Sequence, residues 1–362
     1  MYEVITIHEK DKWESCLGKM KTKDAHASYG YCSLYYHQGD GIPHLFHFWK
    51  SSGQRIAYPF LVREIQLPSF VQEDELYDII TPYGFGGPLV DFPDEDLLRE
   101  FRQAFEDYCQ EHKLISEFIR FNPMLTNHRF LEAFMDVVCH RESVYMDLTR
   151  DGEEMNKFIH HNHLRNIAKG KRNGLDFAVF EGEEALSYVR DFYRLYKETM
   201  DKVHAAPYYY FSEEFVKLLL TGMKGNSLLA AVFHQGEMIA ACLSIYDGGI
   251  IHYHMGASRK DKLQLGSNPY LFYHLALWGR DRGFTRLHLG AGHEGRDSLF
   301  QFKHRFNLGG TVGFYIGKKI HNRKLYDQLC NHWKKLNGID LGDFFPGYRS
   351  KPTKTFTKLV TT

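Results

Sequence analysis

Two histidines, His252 and His254, stand two apart in the apolar run Ile250 to Met255. On a strand this spacing sends both imidazoles to one face and Tyr253 to the other. Neutral imidazoles on a shared face serve as proton acceptors near neutral pH or as metal ligands. A zinc centre needs a third ligand, and none stands at a convincing spacing, so the pair reads as half-buried histidines, an acceptor contact or a base, with no metal. Asp297 and His293 are the other candidate bases. Gly266-Ser267-Asn268-Pro269 reads as a helix start, with Ser267 or Asn268 capping and Pro at the first helical position. The free N–H groups of such an end hold phosphate. Lys303 lies in the basic, aromatic-flanked run Phe302-Lys303-His304-Arg305.

Between Asn156 and Leu175 there is no acid, while Lys157, Arg165, Lys169, Lys171 and Arg172 are interspersed with His160, His161 and His163. Such a helix suits a phosphorylated or nucleic-acid partner, and equally a solvated face. Tyr208, Tyr209 and Tyr210 follow Pro207 in an expected loop, where they line a groove for sugar or peptide or close over the core.

The elements that position these residues recur. Ile42 to Trp49 and Arg55 to Glu64 read as a hairpin turning at Ser51-Ser52-Gly53. Tyr77 to Thr81 is a strand entering Tyr83-Gly84-Phe85-Gly86-Gly87-Pro88; a helix over Asp94 to His112 and a strand over Ser116 to Phe121 follow. The second half repeats the order: a hairpin of Leu228 to His234 and Met238 to Tyr246, a strand from Gly249 to His254 into Met255-Gly256-Ala257, a helix over Pro269 to Gly283 and a strand over Thr285 to Leu289. Helices over Glu153 to Gly170 and Glu183 to Lys202 precede that hairpin, and one over Asn322 to Asn337 closes the chain. An internal duplication follows, giving an α/β (α+β) sandwich in each lobe.

The 362 residues exceed one ordinary domain and divide into an N-terminal lobe (1–150), a C-terminal lobe (151–320) and a terminal helix and tail (321–362). The net charge of zero hides an asymmetry, because residues 1–150 hold 15 Lys plus Arg against 24 Asp plus Glu, and the rest holds 30 against 21. A basic second lobe suits an anionic partner, or docking against the acidic first. The six cysteines form no C-x-x-C pair, and no apolar stretch is long enough to span a bilayer. With no signal-peptide pattern at residues 1–12, the expected setting is the cytoplasm with reduced thiols.

Hairpin, Gly-ended strand, helix, strand is the order of the GNAT acyltransferase core, here in tandem. Thr81-Pro82-Tyr83-Gly84-Phe85-Gly86-Gly87-Pro88, His163-Leu164-Arg165-Asn166-Ile167-Ala168-Lys169, His288-Leu289-Gly290-Ala291-Gly292 and Asp297 to Lys303 together resemble the FemAB/FemX family of peptidoglycan aminoacyltransferases and the related BioF2-like acetyltransferase domains. There is no room for the long helical arm of some members, so the form is arm-less and FemX-like. The acyl-CoA signature is met only in part, by Lys262-Leu263-Gln264-Leu265-Gly266-Ser267.

The resemblance implies an N-acyltransferase acting on an amino group of a cell-envelope precursor, a lipid- or nucleotide-linked sugar. No cofactor is expected to stay bound; the co-substrate is aminoacyl-tRNA or acyl-CoA. Catalysis is expected from Lys303, Asp297 and His254, with Lys303 stabilising developing negative charge. The donor is expected on Phe302, Gly266, Ser267, Asn268, Arg165 and Lys169, and the acceptor on Tyr208, Tyr209 and Tyr83. The first lobe, which lacks a Phe-Lys pair after Ile119-Arg120-Phe121-Asn122-Pro123, is expected to be non-catalytic. Peripheral membrane contact is compatible with such an acceptor. The competing reading is a catalytically silent module that binds glycan or RNA.

Overall fold

The computed structural model describes residues 1–66 and 75–351, so the end of the C-terminal tail, 352–362, lies outside the described residues. The first half runs β1 (Tyr2–Thr6), α1 (Lys10–Gly18), α2 (Tyr29–His37), β2 (Ile42–Trp49), β3 (Arg55–Glu64), β4 (Tyr77–Ile80), β5 (Leu89–Asp91), α3 (Glu95–Glu111), β6 (Leu114–Arg120) and β7 (Asp136–Asp147). The second runs α4 (Gly152–Phe158), α5 (His161–Arg172), β8 (Leu175–Glu181), α6 (Gly182–Ser187), α7 (Val189–Lys202), α8 (Glu213–Gly222), β9 (Ser227–His234), β10 (Glu237–Asp247), β11 (Ile250–Ser258), α9 (Ser267–Asp281), β12 (Arg286–Gly290), α10 (Ser298–His304), β13 (Thr311–Ile320) and α11 (Arg323–Asn337).

One sheet crosses the molecule in the order β1-β2-β3-β4-β6-β13-β7-β12-β11-β10-β9-β8, with β5 paired to β3. The order reads alike from both edges. From one, β1 to β4 are antiparallel neighbours and β4 pairs parallel with β6; from the other, β8 to β11 do the same and β11 pairs parallel with β12. Each parallel step is bridged by a helix, α3 or α9, as parallel strands require. The fold is thus a tandem pair of GNAT-like α/β units. The last strand of each half lies across the middle: β7 pairs with β12, and β13 pairs with β6, while β7 and β13 pair with each other.

Local sequence explains the elements. Asp94 Oδ1 accepts from the Leu97 N–H at 2.7 Å and starts α3, whose Leu97, Phe101, Phe105 and Tyr108 form one buried stripe. β9 and β10 are apolar along nearly their whole length because helices cover both faces. The helix expected over 153–170 is two. His160 breaks it by turning extended, donating its N–H to the Arg305 carbonyl and accepting from the Asn162 N–H at its Nδ1. The helix expected over 183–202 is likewise interrupted, at Tyr188, whose ring stacks on Phe180 at 4.0 Å. The strand expected to end at His254 continues through Gly256 to Ser258.

Helix α2 ties the lobes together. It lies on β2 and β3 and also against α8. Gly30 makes this approach possible, since a methyl group there would lie 1.9 Å from the Gly222 carbonyl oxygen. Tyr31 and Tyr35 of α2 are fully buried in a core that also holds Phe192, Phe215, Leu219 and Met255 of the second half. On the opposite side of the second-lobe sheet, α5 and α9 close a separate core with Phe300 and Phe306.

Candidate active site

β11 and β12 part early. Their pairing covers only Ile250 to His252 against Arg286 to His288; beyond it β11 continues with β10 and β12 turns to β7. The parting opens a gap in the sheet at the C-terminal end of two parallel strands, where ligands enter α/β sheets. At this level β11 carries a bulge. Leu243 faces Met255 and Ser244 faces Tyr253, leaving His254 as the extra residue. A bulge re-aims a side chain without ending the strand.

His254 points to the first lobe. Its Nε2 lies 3.3 Å from the Tyr35 hydroxyl, and its ring is 5.7 Å from that of Tyr31 and 6.0 Å from that of Tyr83. Burial, reinforced by the charge of His26, pushes its pKa down to about 3, so the imidazole is neutral and able to accept a hydrogen bond. Tyr83 is held in place by its own carbonyl, which accepts from the Tyr31 hydroxyl at 2.7 Å. Around it stand Tyr208 at 5.9 Å and Tyr209 at 6.1 Å between ring centres, both partly exposed. The Tyr208 hydroxyl donates to Asp40 at 2.6 Å. Arg120, packed over the Phe118 ring at 5.1 Å, lends positive charge to this mouth, and burial lowers its pKa. The structure therefore brings together Tyr83, Tyr208, Tyr209 and His254, and adds Tyr31, Tyr35 and Arg120.

Lys303 lies on the other side of β11. It is 7% exposed, its Nζ donates to the Ala291 carbonyl at 2.8 Å, and it stands 5.5 Å from the centre of the Tyr253 ring. Burial pushes its pKa down to about 8, with the negative charge of Asp297 opposing the shift. At neutral pH the amine remains mostly a cation, poorly solvated and aimed at the strand end. Phe302 is half-buried and packs against His163, Phe272 and Phe306.

Asp297 caps α10. Its Oδ1 accepts from the Phe300 N–H at 2.8 Å, and its Oδ2 from those of His293 and Glu294 at 2.8 and 3.2 Å. Burial would raise its pKa, but these backbone donors outweigh it and lower the pKa, so the carboxylate is committed to shaping the loop before Lys303. His293 is exposed and meets Asp297 through its backbone.

The helix start at residue 266 differs from expectation. Gly266 itself is the N-cap at φ 87°, neither Ser267 nor Asn268 caps, and Pro269 falls in the third helical position. Gly266 is required there twice over, by its left-handed backbone and by the Asn166 carbonyl, which a methyl group would approach to 2.4 Å. Asn268 Nδ2 instead donates to the Ser258 hydroxyl at 3.3 Å. Ser267 Oγ is fully buried without a hydrogen-bond partner. Alongside, α5 packs on α9 with His163, Ile167 and Gly170 inward and Arg165, Lys169 and Arg172 outward. His163 thus leaves the basic face: its Nε2 meets the Phe302 carbonyl at 2.9 Å, and burial lowers its pKa to about 4.

Sequence reasoning missed a buried polar cluster next to this cleft. Asp24 and His26, from the turn before α2, meet His252 of β11. His252 Nδ1 lies 3.0 Å from His288 Nδ1, and His288 Nε2 lies 2.6 Å from the Ser143 hydroxyl. Burial pushes the pKa of His252 down to about 3 and that of His288 well below the ordinary range. The one sequence signal was the Asp-x-His spacing at 24–26, which carries little weight without its distant partners.

Residues 159–304 match the family model of the acetyltransferase (GNAT) domain. No curated protein matches the sequence. Among solved structures the chain is similar to FemX, at 12% identity and a TM-score of 0.68 over 91% of this chain and 99% of that one. It is also similar to the C-terminal domain assigned to a lysylphosphatidylglycerol synthetase of Agrobacterium fabrum, at 16% identity and a TM-score of 0.55 over 86% and 92% of the two chains. A third similar structure is L-PGS from Bacillus licheniformis, at 15% identity and a TM-score of 0.52 over 88% and 94%. With the parted strands, the buried Lys303 and the matched stretch in one place, residues 159–304 form a GNAT-type acetyltransferase domain within a chain of FemX-like fold.

Proposed function

We propose that the protein transfers an acyl group from a coenzyme A thioester to an amino group of a cell-envelope precursor. The observation that carries this reading is the gap between β11 and β12, which has a buried cation on one side and a neutral imidazole on the other. The donor's phosphates lie at the start of α9, on the free N–H groups beside Ser267 Oγ, with Arg165 and Lys169 near by. Its carbonyl enters the gap, where Lys303 stabilises the oxyanion as the amine attacks. The new C–N bond forms, the C–S bond breaks, and the amine proton leaves with the departing thiolate, while His254 accepts a hydrogen bond from the attacking amine and orients it. Asp297 positions the loop and α10 and does not serve as the base.

The acceptor enters through the mouth formed by Tyr83, Tyr208 and Tyr209, where sugar or peptide stacks on aromatic rings and Arg120 favours an anionic carrier such as a sugar nucleotide. On this reading catalysis belongs to residues 151–320, while the first lobe, 1–150, supplies the acceptor wall and the 321–362 segment takes no part. Among the described residues no helix is long and apolar enough to cross a membrane, and a lipid-linked acceptor would be met at the bilayer surface.

The test is to assay thiol release from acetyl-CoA and longer acyl-CoAs against a panel of amino-sugar nucleotides and muropeptide precursors, with charged tRNA as a parallel donor. Amine-dependent thiol release supports the reading. Transfer only from charged tRNA, with the steep salt dependence of phosphate contacts, would move the donor to RNA and assign the exposed Arg165, Lys169 and Arg172 to it. No transfer from either donor, with glycan or RNA still bound, would favour a silent binding module.

A further inference from the structure

Asp24, His26 and His252 form a group with no part in the acyl-transfer scheme above. One donor atom from each lies within 4.8 Å of the others. All three are buried, at 5%, 2% and 3% exposure. They come from two places 226 residues apart in sequence, the turn before α2 and the middle of β11. A polar cluster this deep is costly unless each member has a defined partner.

The surroundings are arranged as an outer shell. Asn122 Nδ2 donates to Asp24 Oδ2 at 3.0 Å, and the His26 N–H donates to Asp24 Oδ1 at 3.1 Å. His26 Nδ1 meets the same Oδ1 at 2.8 Å. On the other side, the 3.0 Å link from His252 Nδ1 to His288 Nδ1 continues to Ser143 at 2.6 Å. If His252 donates along this chain, its Nε2 carries a lone pair, and the ring is fixed in one tautomer. Imidazoles whose second nitrogen is anchored in this way, next to carboxylates that are themselves hydrogen-bonded, are the usual supports of metal centres. His254, on the same strand face, is not in the group; its Nε2 is turned to Tyr35.

We propose that Asp24, His26 and His252 bind a single divalent transition-metal ion of the zinc class. Two imidazoles and one carboxylate suit zinc, cobalt or ferrous iron, and are poor for calcium or magnesium, which favour oxygen ligands throughout. Binding replaces the proton shared by His26 and Asp24 with the cation. The ion would pin the segment before α2 to β11 and so fix the wall carrying Tyr31 and Tyr35. The proposal does not depend on the donor or acceptor of the transfer reaction.

The test is metal content of the full-length chain. Protein purified through a tag without histidines is equilibrated with zinc chloride, desalted and measured by inductively coupled plasma mass spectrometry. About one zinc per chain should remain, as for a site that folds around its ion. Cobalt in place of zinc should give visible d–d absorption of a nitrogen–oxygen site. His26→Gln, His252→Gln and Asp24→Asn should each weaken retention by about 10-fold or more, and His288→Gln by about 10-fold through the outer shell, whereas His254→Gln should leave it unchanged. Retention below roughly 0.1 zinc per chain in the unmodified protein would overturn the proposal and leave a hydrogen-bonded cluster only. So would retention of the full equivalent in the His26→Gln/His252→Gln double variant, which would place the ion elsewhere. If the variants fail to fold, the zinc content and cobalt spectrum of the unmodified protein decide alone.

Discussion

Tyr253 and His254 are neighbours on β11 yet face opposite layers of the sheet: Tyr253 lies beneath the Lys303 amine at 5.5 Å, and His254 meets the Tyr35 hydroxyl at 3.3 Å. The two candidate catalytic groups therefore approach the gap between β11 and β12 from different sides. A donor lying along the second lobe and an acceptor arriving from the first can meet there without sharing a channel.

Lys303→Met keeps the buried stem and removes the charge. If the cation stabilises the oxyanion, turnover falls about 10²-fold or more, roughly 3 kcal/mol, with acceptor binding little changed. Steady-state kinetics alongside thermal melting tests this. Unchanged turnover would reduce Lys303 to a packing residue.

The same lysine gives a pH signature in stability. Its folded pKa, about 8, lies below the ordinary 10.5 of a lysine. Between these values the unfolded chain holds a proton that the folded chain has released, so this residue's contribution to stability rises with pH over that window. Denaturation of the parent protein and Lys303→Met at pH 7 and pH 10 should show the parent gaining relative to the variant, by up to on the order of 3 kcal/mol. A constant difference between the two proteins would show that burial does not perturb the amine.

Asp297 separates a cap from a base. Asp297→Ala should cost about 1 kcal/mol or more of stability by releasing the start of α10. Its turnover should fall through displacement of Lys303, with the acid limb of the pH–rate profile kept. Loss of that limb in the variant would restore Asp297 as the proton acceptor.

The acceptor mouth is tested at Tyr208. Tyr208→Ala removes an aromatic wall and the hydroxyl that binds Asp40. The acceptor KM should rise about 10-fold, near 1.4 kcal/mol, with the donor KM nearly unchanged. An equal rise in both constants would mean that the loop is only structural.

Much of this architecture is legible in the sequence because it is local. The hairpins, the capped α3 and the helix before β12 each announce themselves within about a dozen residues through alternation, turn residues and caps. The candidate residues around the gap are local in the same sense, since His254, Lys303 and the 266–268 turn lie in short runs. What escaped was long-range. Nothing near Asp24 or His26 points to His252, and nothing in Pro207 to Tyr210 says which wall those rings line. Ser267 and Asn268 look like caps by type, but the left-handed Gly266 takes that position because Asn166 crowds it. His163 reads as part of a basic face, yet helical phase turns it inward with Ile167.

The crossing of β7 and β13 makes the molecule indivisible in a way its repeated plan conceals. Cut after residue 150, the first piece would keep β7 but lack β13 beside β6, and the second would keep β13 but lack β7 beside β12. Each piece would present a bare edge complementary to the other, so half-length chains should recover a native-like circular dichroism spectrum only when mixed. Carrying both units in one chain makes the pairing of these edges intramolecular and independent of protein concentration.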